Sequence, residues 1–220
     1  MTATTKAYKG MGMEGSIARW YDKSTRKDMR RHREFAARLK AVRPEGGDYL
    51  EVAPGPGFAA IEVARDRRFH VTGLDVSATF VEIARKNAAA EGVPVEFRKG
   101  NASEMPFAEN SFDLLSCSAA FKNFADPEKA LREMLRVLRP GGTGVIVDLR
   151  RDVSMEEIKR YFDSVDLSAM SRWFTMMSFR FMLIKRAYTV GEMKRMMTPV
   201  GFAKTEVRGI EIGMEAWFTK

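Results

Sequence analysis

Two glycines, Gly55 and Gly57, stand where a short apolar run, Tyr49 to Val52, gives way to a helix-compatible segment, Ala59 to Arg65. Glycine reaches backbone conformations closed to other residues and lets a ligand lie against the chain, and a following helix aims free amides at that ligand. Pro54 and Pro56 stiffen the same turn by fixing φ. Asp75 ends a second apolar run, Val71 to Asp75, where its two oxygens can accept both hydroxyls of a ribose. Together these residues suit a nucleotide-like ligand. The run Gly55-Pro56-Gly57-Phe58-Ala59-Ala60 also meets the dinucleotide pattern G-x-G-x-x-G/A, so a nicotinamide cofactor and a merely connective turn both stay open at this point. For Asp75 the competing role is an N-cap of the segment Ser77 to Ala90.

Two further groups could complete a purine site. Asn101 has an amide that can accept from and donate to a purine edge, and Met105 could lie against its face. An ordinary Asx turn is the alternative for Asn101. Lys122 and Asn123 follow a fourth apolar run, Phe112 to Cys117, and are expected to face the cleft at that edge.

The elements that must hold these groups alternate along the chain. Strands are expected at Tyr49–Val52, Val71–Asp75, Val95–Arg98, Phe112–Cys117 and Val145–Leu149, with helices between them, which predicts a parallel sheet covered by helices on both faces. Asp126 is placed to N-cap a helix from Glu128 to Leu138 with Pro127 in its first turn, and Arg139-Pro140-Gly141-Gly142 stops it. Ahead of the first strand lie about fifteen residues expected to be flexible, then two amphipathic helical segments. The segment 1–48 is thus expected to be a helical lid over a domain spanning 49–220. Tyr21 on that lid is a candidate cofactor contact, with plain packing the alternative, as it is for Trp20.

Composition narrows the class. With 220 residues, 45% hydrophobic and 30% charged, the chain suits one soluble domain with appendages. No apolar run approaches the roughly 20 residues that span a bilayer, and the first residues lack the apolar core of a secretory signal, so a cytoplasmic protein without a membrane span is expected. The single cysteine, Cys117, lies in an apolar run and reads as a buried strand residue. With only His32 and His70 beside it, no metal site is expected. The net charge is +8, and basic residues crowd at Arg26-Lys27-Asp28-Met29-Arg30-Arg31-His32-Arg33. Such a run could touch phosphate, but without interleaved aromatics a solvated helix face is the commoner outcome and nucleic acid is not the expected partner.

Taken together, Glu51-Val52-Ala53-Pro54-Gly55-Pro56-Gly57, Gly73-Leu74-Asp75, Gly100-Asn101-Ala102, Phe112-Asp113 and Leu135-Arg136-Val137-Leu138-Arg139-Pro140-Gly141-Gly142 resemble class I S-adenosylmethionine-dependent methyltransferases. Phe121-Lys122-Asn123-Phe124 and Ala130-Leu131-Arg132-Glu133-Met134 make the ubiquinone/menaquinone-biosynthesis type the most similar subgroup. The resemblance spans about Tyr49 to Leu149. It implies an α/β, Rossmann-like seven-stranded sheet, mostly parallel with the last strand antiparallel, and the tail fits: Ala203–Glu211 and Gly213–Thr219 read as two strands around a tight turn. It also implies S-adenosyl-L-methionine as cofactor and S-adenosyl-L-homocysteine as product. Glu51, Ala53, Gly55 and Gly57 then match the loop around the methionine part, Asp75 the ribose acid, Val76 its neighbour against adenine, and Asn101 and Ala102 the adenine-edge pair. In two places the chain departs from the family. Ala53 replaces the usual first glycine, so the loop is expected to manage without ready access to positive φ there, and Asn101 replaces a frequent Asp.

Methyl transfer from a sulfonium is a direct displacement, so alignment and exclusion of water matter more than catalytic side chains. If the acceptor needs a general base, Asp148 and His32 are the candidates, the first more in keeping with a structural role and the second with a solvated one. Substrate choice is expected in the helical insertion at about 150–199, rich in methionine and aromatics such as Trp173 and Tyr188, with Arg150, Arg151, Arg172 or Arg180 meeting an acidic group. The expected partner is a small apolar or aromatic acceptor with an anionic group, met by a monomer or homodimer. An RNA or protein methyltransferase and a non-catalytic cofactor-binding protein are the alternatives.

Overall fold

Strands and helices do alternate from Gly47 onward, and the order in which the strands pair decides where a ligand can sit. The computed structural model describes residues 7–9, 12–163 and 184–220. After helices α1 (Gly15–Thr25) and α2 (Met29–Val42) come β1 (Gly47–Val52), α3 (Phe58–Ala64), β2 (Phe69–Asp75), α4 (Ala78–Ala90), β3 (Val95–Lys99) and β4 (Phe112–Ser118). Next are α5 (Pro127–Val137), β5 (Leu138–Leu149), α6 (Met155–Asp163), α7 (Val190–Met197), β6 (Lys204–Ile210) and β7 (Gly213–Thr219). The seven strands lie in the order β3-β2-β1-β4-β5-β7-β6. β1 to β5 pair in parallel, and β7 runs antiparallel between β5 and β6. The order reverses direction at β1 and β4, and in open parallel sheets that switch point opens a crevice at the carboxyl ends of the strands.

Neighbouring residues of the central strands supply opposite faces, because side chains alternate along a strand. Leu50, Leu115 and Ile146 join the core under α5 and α7, while Tyr49, Leu114 and Val145 join the core under α2, α3 and α4. A buried polar pair on the second face is satisfied internally, with the Tyr49 hydroxyl 2.6 Å from the Ser116 hydroxyl. Cys117 is fully buried, as its apolar setting predicts.

α5 forms for the reasons read from its sequence. The Asp126 carboxylate accepts the Lys129 amide hydrogen at 3.0 Å, and Pro127 occupies the first turn. Ala130, Leu131, Met134 and Val137 fall on one face, all fully buried. Truncating Leu131 to Ala would cost about 2–5 kcal/mol through the cavity left behind. The helix stops at Val137, one residue earlier than expected, and β5 begins at Leu138 rather than Val145. The ladder to β4 steps from Phe112–Leu138 to Leu114–Thr143, so Arg139 to Gly142 bulge out of it. Lys220 anchors the bulge, its carbonyl accepting from the Gly141 amide at 2.8 Å and its own amide donating to Gly142 at 3.1 Å.

The first fifteen residues are not a free tail in their described part. Tyr8 bridges to Phe124, the Lys9 amide donates to the Asn123 carbonyl at 2.7 Å, and the Ala125 amide donates to Ala7 at 3.3 Å. Polar backbone is thereby paired against the loop after β4, which holds this short strap across the end of the sheet. Glu14 then caps α4 from a distance in sequence: its carboxylate accepts the amides of Ala78 and Thr79 at 3.0 and 3.1 Å and the Thr79 hydroxyl at 2.5 Å. α1 lies against α4, and α2 packs on α3 with Ala36 and Leu39 buried. The strap and α1 therefore border the crevice, whereas α2 belongs to the layer that covers the sheet.

The basic run of α1 and α2 meets carboxylates. Arg26 pairs with Asp22, Arg30 with Glu34, Arg31 with Asp28 and Arg33 with Glu62. Among the described residues, no helix is long and apolar enough to cross a membrane.

Candidate cofactor and acceptor site

The loop between β1 and α3 is a run of left-handed backbone. Ala53, Gly55 and Gly57 have φ of 57°, 56° and 82°. Ala53 therefore does what the expectation denied it: with no glycine there, the loop accepts a left-handed alanine, held by the bond from its amide to the Leu74 carbonyl at 2.7 Å. Gly57 is required for space as well as φ, because a β-carbon there would come within 2.7 Å of the Phe97 ring. Phe97, from β3, also fills the space beside Gly73, so this ring is the floor of the loop. Gly55 differs from Gly57: a β-carbon on it would meet only Tyr21, at 3.9 Å, so its face is open toward α1. Asn87 of α4 closes the back by donating to the Pro56 carbonyl at 2.9 Å.

Asp75 ties the second strand to this loop. One carboxylate oxygen accepts the Gly55 amide at 3.0 Å and the other the Ser77 amide at 2.9 Å. It does not cap α4, since the Ser77 hydroxyl takes that place and accepts from the Phe80 amide at 3.1 Å. Burial pushes the Asp75 carboxyl up to about 6, against the opposing pull of the Ser77 and Gly55 amides. Glu51, one strand over, is buried too, and burial pushes it up to about 8. Its Oε2 is buried with no hydrogen-bond partner. Val76 leaves an apolar side chain 37% exposed next to Asp75, while Tyr21 packs edge-on against Phe80 at 5.8 Å and reaches over Gly55.

The remaining candidates are sorted by the fold. Asn101 makes the Asx turn, its side-chain oxygen accepting the Ser103 amide at 3.0 Å. Ala102 is half-buried beside it. Met105 is 5% exposed and packs in the core under α5. Lys122 turns inward instead of facing the cleft: its ammonium lies 2.7 Å from Asp148 Oδ1 and 2.6 Å from the Ala119 carbonyl. The same carboxylate accepts the amides of Lys122 and Leu149, so Asp148 is spent on structure. Asn123 contributes its backbone carbonyl to the strap. His32 is half-buried rather than solvated. Its ring lies 5.3 Å from that of Phe58, burial lowers its pKa, and the charges around it are Asp28, Arg31 and Glu62 instead of the loop acids.

Arg150 also has a structural task, joining Glu157, the Asp152 carbonyl at 3.1 Å and the Glu211 carbonyl at 3.0 Å. Its side chain staples α6 to the β6–β7 turn because those carbonyls need a donor. Arg151 is held by the Ala187 carbonyl at 3.1 Å and by Glu192. Tyr188 lies at the cleft, its ring 5.9 Å from Phe121 and its hydroxyl 2.6 Å from Lys9 Nζ. Trp173, Arg172 and Arg180 lie outside the described residues. Of the methionines in the insertion, Met193 and Met197 are core residues on α7.

Sequence reading missed Tyr8, Lys9 and Glu14. The phenol of Tyr8 is pushed up by burial, with Arg186 opposing and Asp75, Tyr21 and Asp148 adding to the rise. An aromatic next to a cation in an otherwise small and polar tail was the available signal.

Known proteins are similar to this chain in sequence and in fold. Residues 50–146 match a family model described as a methyltransferase domain. A demethylmenaquinone methyltransferase of Deinococcus radiodurans is 36% identical over 114 residues, 51% of this chain and 47% of that protein. The ubiquinone/menaquinone biosynthesis C-methyltransferase UbiE of Brucella abortus is 32% identical over 142 residues, covering 63% of this chain and 52% of that one. The chain thus spans about half the length of these curated relatives. A solved S-adenosylmethionine-dependent methyltransferase structure from Aquifex aeolicus superposes with a TM-score of 0.67 at 19% identity, over 92% of this chain and 96% of that one.

Sheet order and the matched segment, residues 50–146, give this chain the fold and a domain of the methyltransferase type. Over the aligned stretch the chain is similar to methyltransferases of demethylmenaquinone and of ubiquinone/menaquinone biosynthesis. The residues present fit the cofactor of the class: a partnerless buried carboxylate oxygen on Glu51, an open Gly55 face, a ribose-type acid at Asp75 and an exposed apolar Val76.

Proposed function

We propose that this chain transfers the methyl group of S-adenosylmethionine to a small, flat, apolar or aromatic acceptor that carries an anionic group. One observation carries the reading: two buried carboxyl groups, Glu51 and Asp75, flank the left-handed loop, and one of them has an oxygen without a partner. A buried carboxylate is costly unless a cation or a donor meets it. A ligand with an ammonium group and a ribose diol supplies both. When bound, the cofactor supplies an activated methyl group on a sulfonium.

This chain's residues do the rest by binding, orienting and excluding water. Glu51 and the open face of Gly55 would hold the methionine part, Asp75 the ribose, and Val76 with Ala102 and the Asn101 amide the base. Tyr21 and Tyr8 close the crevice from the N-terminal side, so that the acceptor reaches the cofactor in a dry pocket. Tyr188, half-buried and packed on the core residue Phe121, gives the acceptor side an aromatic wall. The names of the curated relatives, which act on demethylmenaquinone or in quinone biosynthesis, support a flat ring as acceptor. Arg150 and Arg151, two of the cations first expected to meet its acidic group, are engaged elsewhere.

The test is turnover. The purified chain is incubated with S-adenosylmethionine and a panel of quinols, naphthalenediols and hydroxylated aromatic acids, and S-adenosylhomocysteine and methylated product are measured together. Product from at least one flat aromatic acceptor is expected; transfer to RNA or protein with none to the panel would overturn the reading.

A further inference from the structure

We infer that Lys9 and Arg186, on either side of Tyr8 and Tyr188, form the seat for a carboxylate on the acceptor. The inference rests on the proposed methyl transfer and names the part of the site that selects the substrate class.

Four observations carry it. First, the strap is fixed, not loose: Tyr8 bridges to Phe124 and the Lys9 amide bonds Asn123, so the position of the Lys9 side chain is set by the fold. Second, the ammonium of Lys9 has only a neutral oxygen, the Tyr188 hydroxyl at 2.6 Å, and lies 5.0 Å from the centre of the same ring. Third, Arg186 approaches the strap from the other chain segment and donates to the Lys9 carbonyl at 3.4 Å. Neither cation has a carboxylate partner among the described residues, whereas most arginines bordering the lid and the insertion do, such as Arg26, Arg31, Arg33, Arg150 and Arg151. Fourth, the strap pairs with the loop that leaves β4, at the end of the sheet where the strand order reverses, so this cationic corner adjoins the cofactor crevice, in keeping with the action of Arg186 and Asp75 on the Tyr8 phenol.

Two unneutralised cations held beside aromatic rings suit a flat molecule with one anionic end. The half-buried ring of Tyr188, backed by the core residue Phe121, takes the apolar body. A planar carboxylate can receive the Arg186 guanidinium in bidentate fashion and Lys9 as a point charge, displacing the Tyr188 hydroxyl as partner of Lys9. Neutral quinols of the same shape would gain only the ring contacts. The preferred acceptor is therefore an aromatic acid.

The experiment uses the full chain and 1-naphthoate, with 1-naphthalenemethanol as the neutral probe of similar shape. Affinities are measured by calorimetry and ligand-observed magnetic resonance for the wild type, Lys9→Gln, Arg186→Gln and the control Arg30→Gln. S-adenosylhomocysteine binding is measured in parallel. The expected result is naphthoate binding weakened about tenfold or more by Lys9→Gln and by Arg186→Gln, unchanged by Arg30→Gln, with naphthalenemethanol indifferent to all three. Equal naphthoate affinity in all variants, or naphthoate binding no tighter than naphthalenemethanol in the wild type, overturns the inference. Should a variant not fold, the wild type decides: naphthoate binding must weaken severalfold as salt rises from about 0.05 to 0.5 M while the neutral probe is unaffected. Loss of S-adenosylhomocysteine binding in the wild type would instead strike the methyltransferase reading and leave the anion seat standing on its own data.

Discussion

The Lys122 ammonium lies 2.7 Å from Asp148 Oδ1 with both side chains buried, at the point where β4 and β5 open onto the crevice. Two more backbone donors, the amides of Lys122 and Leu149, complete the carboxylate. Lys122→Met would leave Asp148 uncompensated and should lower unfolding free energy by about 3–5 kcal/mol. Asp148→Asn should cost a comparable amount, and the double variant Lys122→Met/Asp148→Asn less than the sum, because the two changes remove one shared interaction. Denaturant unfolding of the three variants checks this; additive losses would mean that the pair is not coupled.

Ala53 at φ 57° is a left-handed residue with a β-carbon. Such a residue carries a strain of about 1–2 kcal/mol, partly offset by the greater freedom glycine has when unfolded. Ala53→Gly should therefore raise stability by a few tenths to about 1 kcal/mol, and Ala53→Val should lower it by more. Thermal unfolding would show a higher midpoint for the glycine variant. A lower midpoint would mean that the alanine is not strained.

Glu51, raised to about 8 by burial, is protonated in the free protein at neutral pH. A carboxyl whose folded value is raised favours folding fully below its unfolded value, and that contribution is lost as pH rises through about 8. Binding of a cationic ligand at the partnerless oxygen reverses the preference, because it favours the ionised form. S-adenosylhomocysteine should thus release close to one proton on binding at pH 7, and its affinity should increase between about pH 6 and pH 8. Calorimetry in two buffers of different ionisation enthalpy reads the proton count. Glu51→Gln should abolish the release, and equal release by that variant would remove Glu51 from the site.

Glu215 on β7 gathers Arg38 from α2, Arg208 from β6 at 3.0 Å and the Trp217 ring nitrogen at 3.1 Å. Burial alone raises its carboxyl, but the bonds from Arg38, Arg208 and Trp217 outweigh it and the net shift is downward. The stabilisation is present above the unfolded value and disappears as pH falls through the folded one. Glu215→Gln should cost about 1–2 kcal/mol at pH 7, a figure kept low because Arg38 and Arg208 are about half-exposed. Its stability should also fall less steeply than the wild type's between pH 5 and about pH 2. Parallel acid-unfolding curves would contradict the assignment.

What could be read without coordinates was whatever depends on short range. The strand-turn-helix at Tyr49 to Ala64, the capped α5 and the two tail strands all have local signatures, glycine turns, an N-cap with proline, or alternating apolar residues, and each lies within a few residues of its expected place. The strands whose ends were misjudged fail for a local reason too: Arg139 to Gly142 look like a stop signal, and only pairing with the C-terminus keeps that bulge in the sheet.

The geometry of the candidate site was legible where it depends on a residue's own backbone or place in a strand, as in the left-handed turn of Gly55 and Gly57 and the position of Asp75 at the end of β2. It was not legible where a charge finds its partner across the fold. Nothing near Lys122 in sequence points to Asp148, nothing near Arg150 to the Glu211 carbonyl, and nothing near Glu14 to the start of α4. The strap residues Tyr8 and Lys9 were overlooked for the same reason, since Phe124 and Tyr188 are their partners.

The most direct test of the central claim is a calorimetric titration of the chain with S-adenosylmethionine, S-adenosylhomocysteine and NADH, repeated with Asp75→Ala. The account predicts saturable binding of the first two, no binding of NADH, and a loss of about 1.5–3 kcal/mol in the folded variant. Binding of NADH alone, or unchanged affinity for S-adenosylmethionine in folded Asp75→Ala, would contradict it.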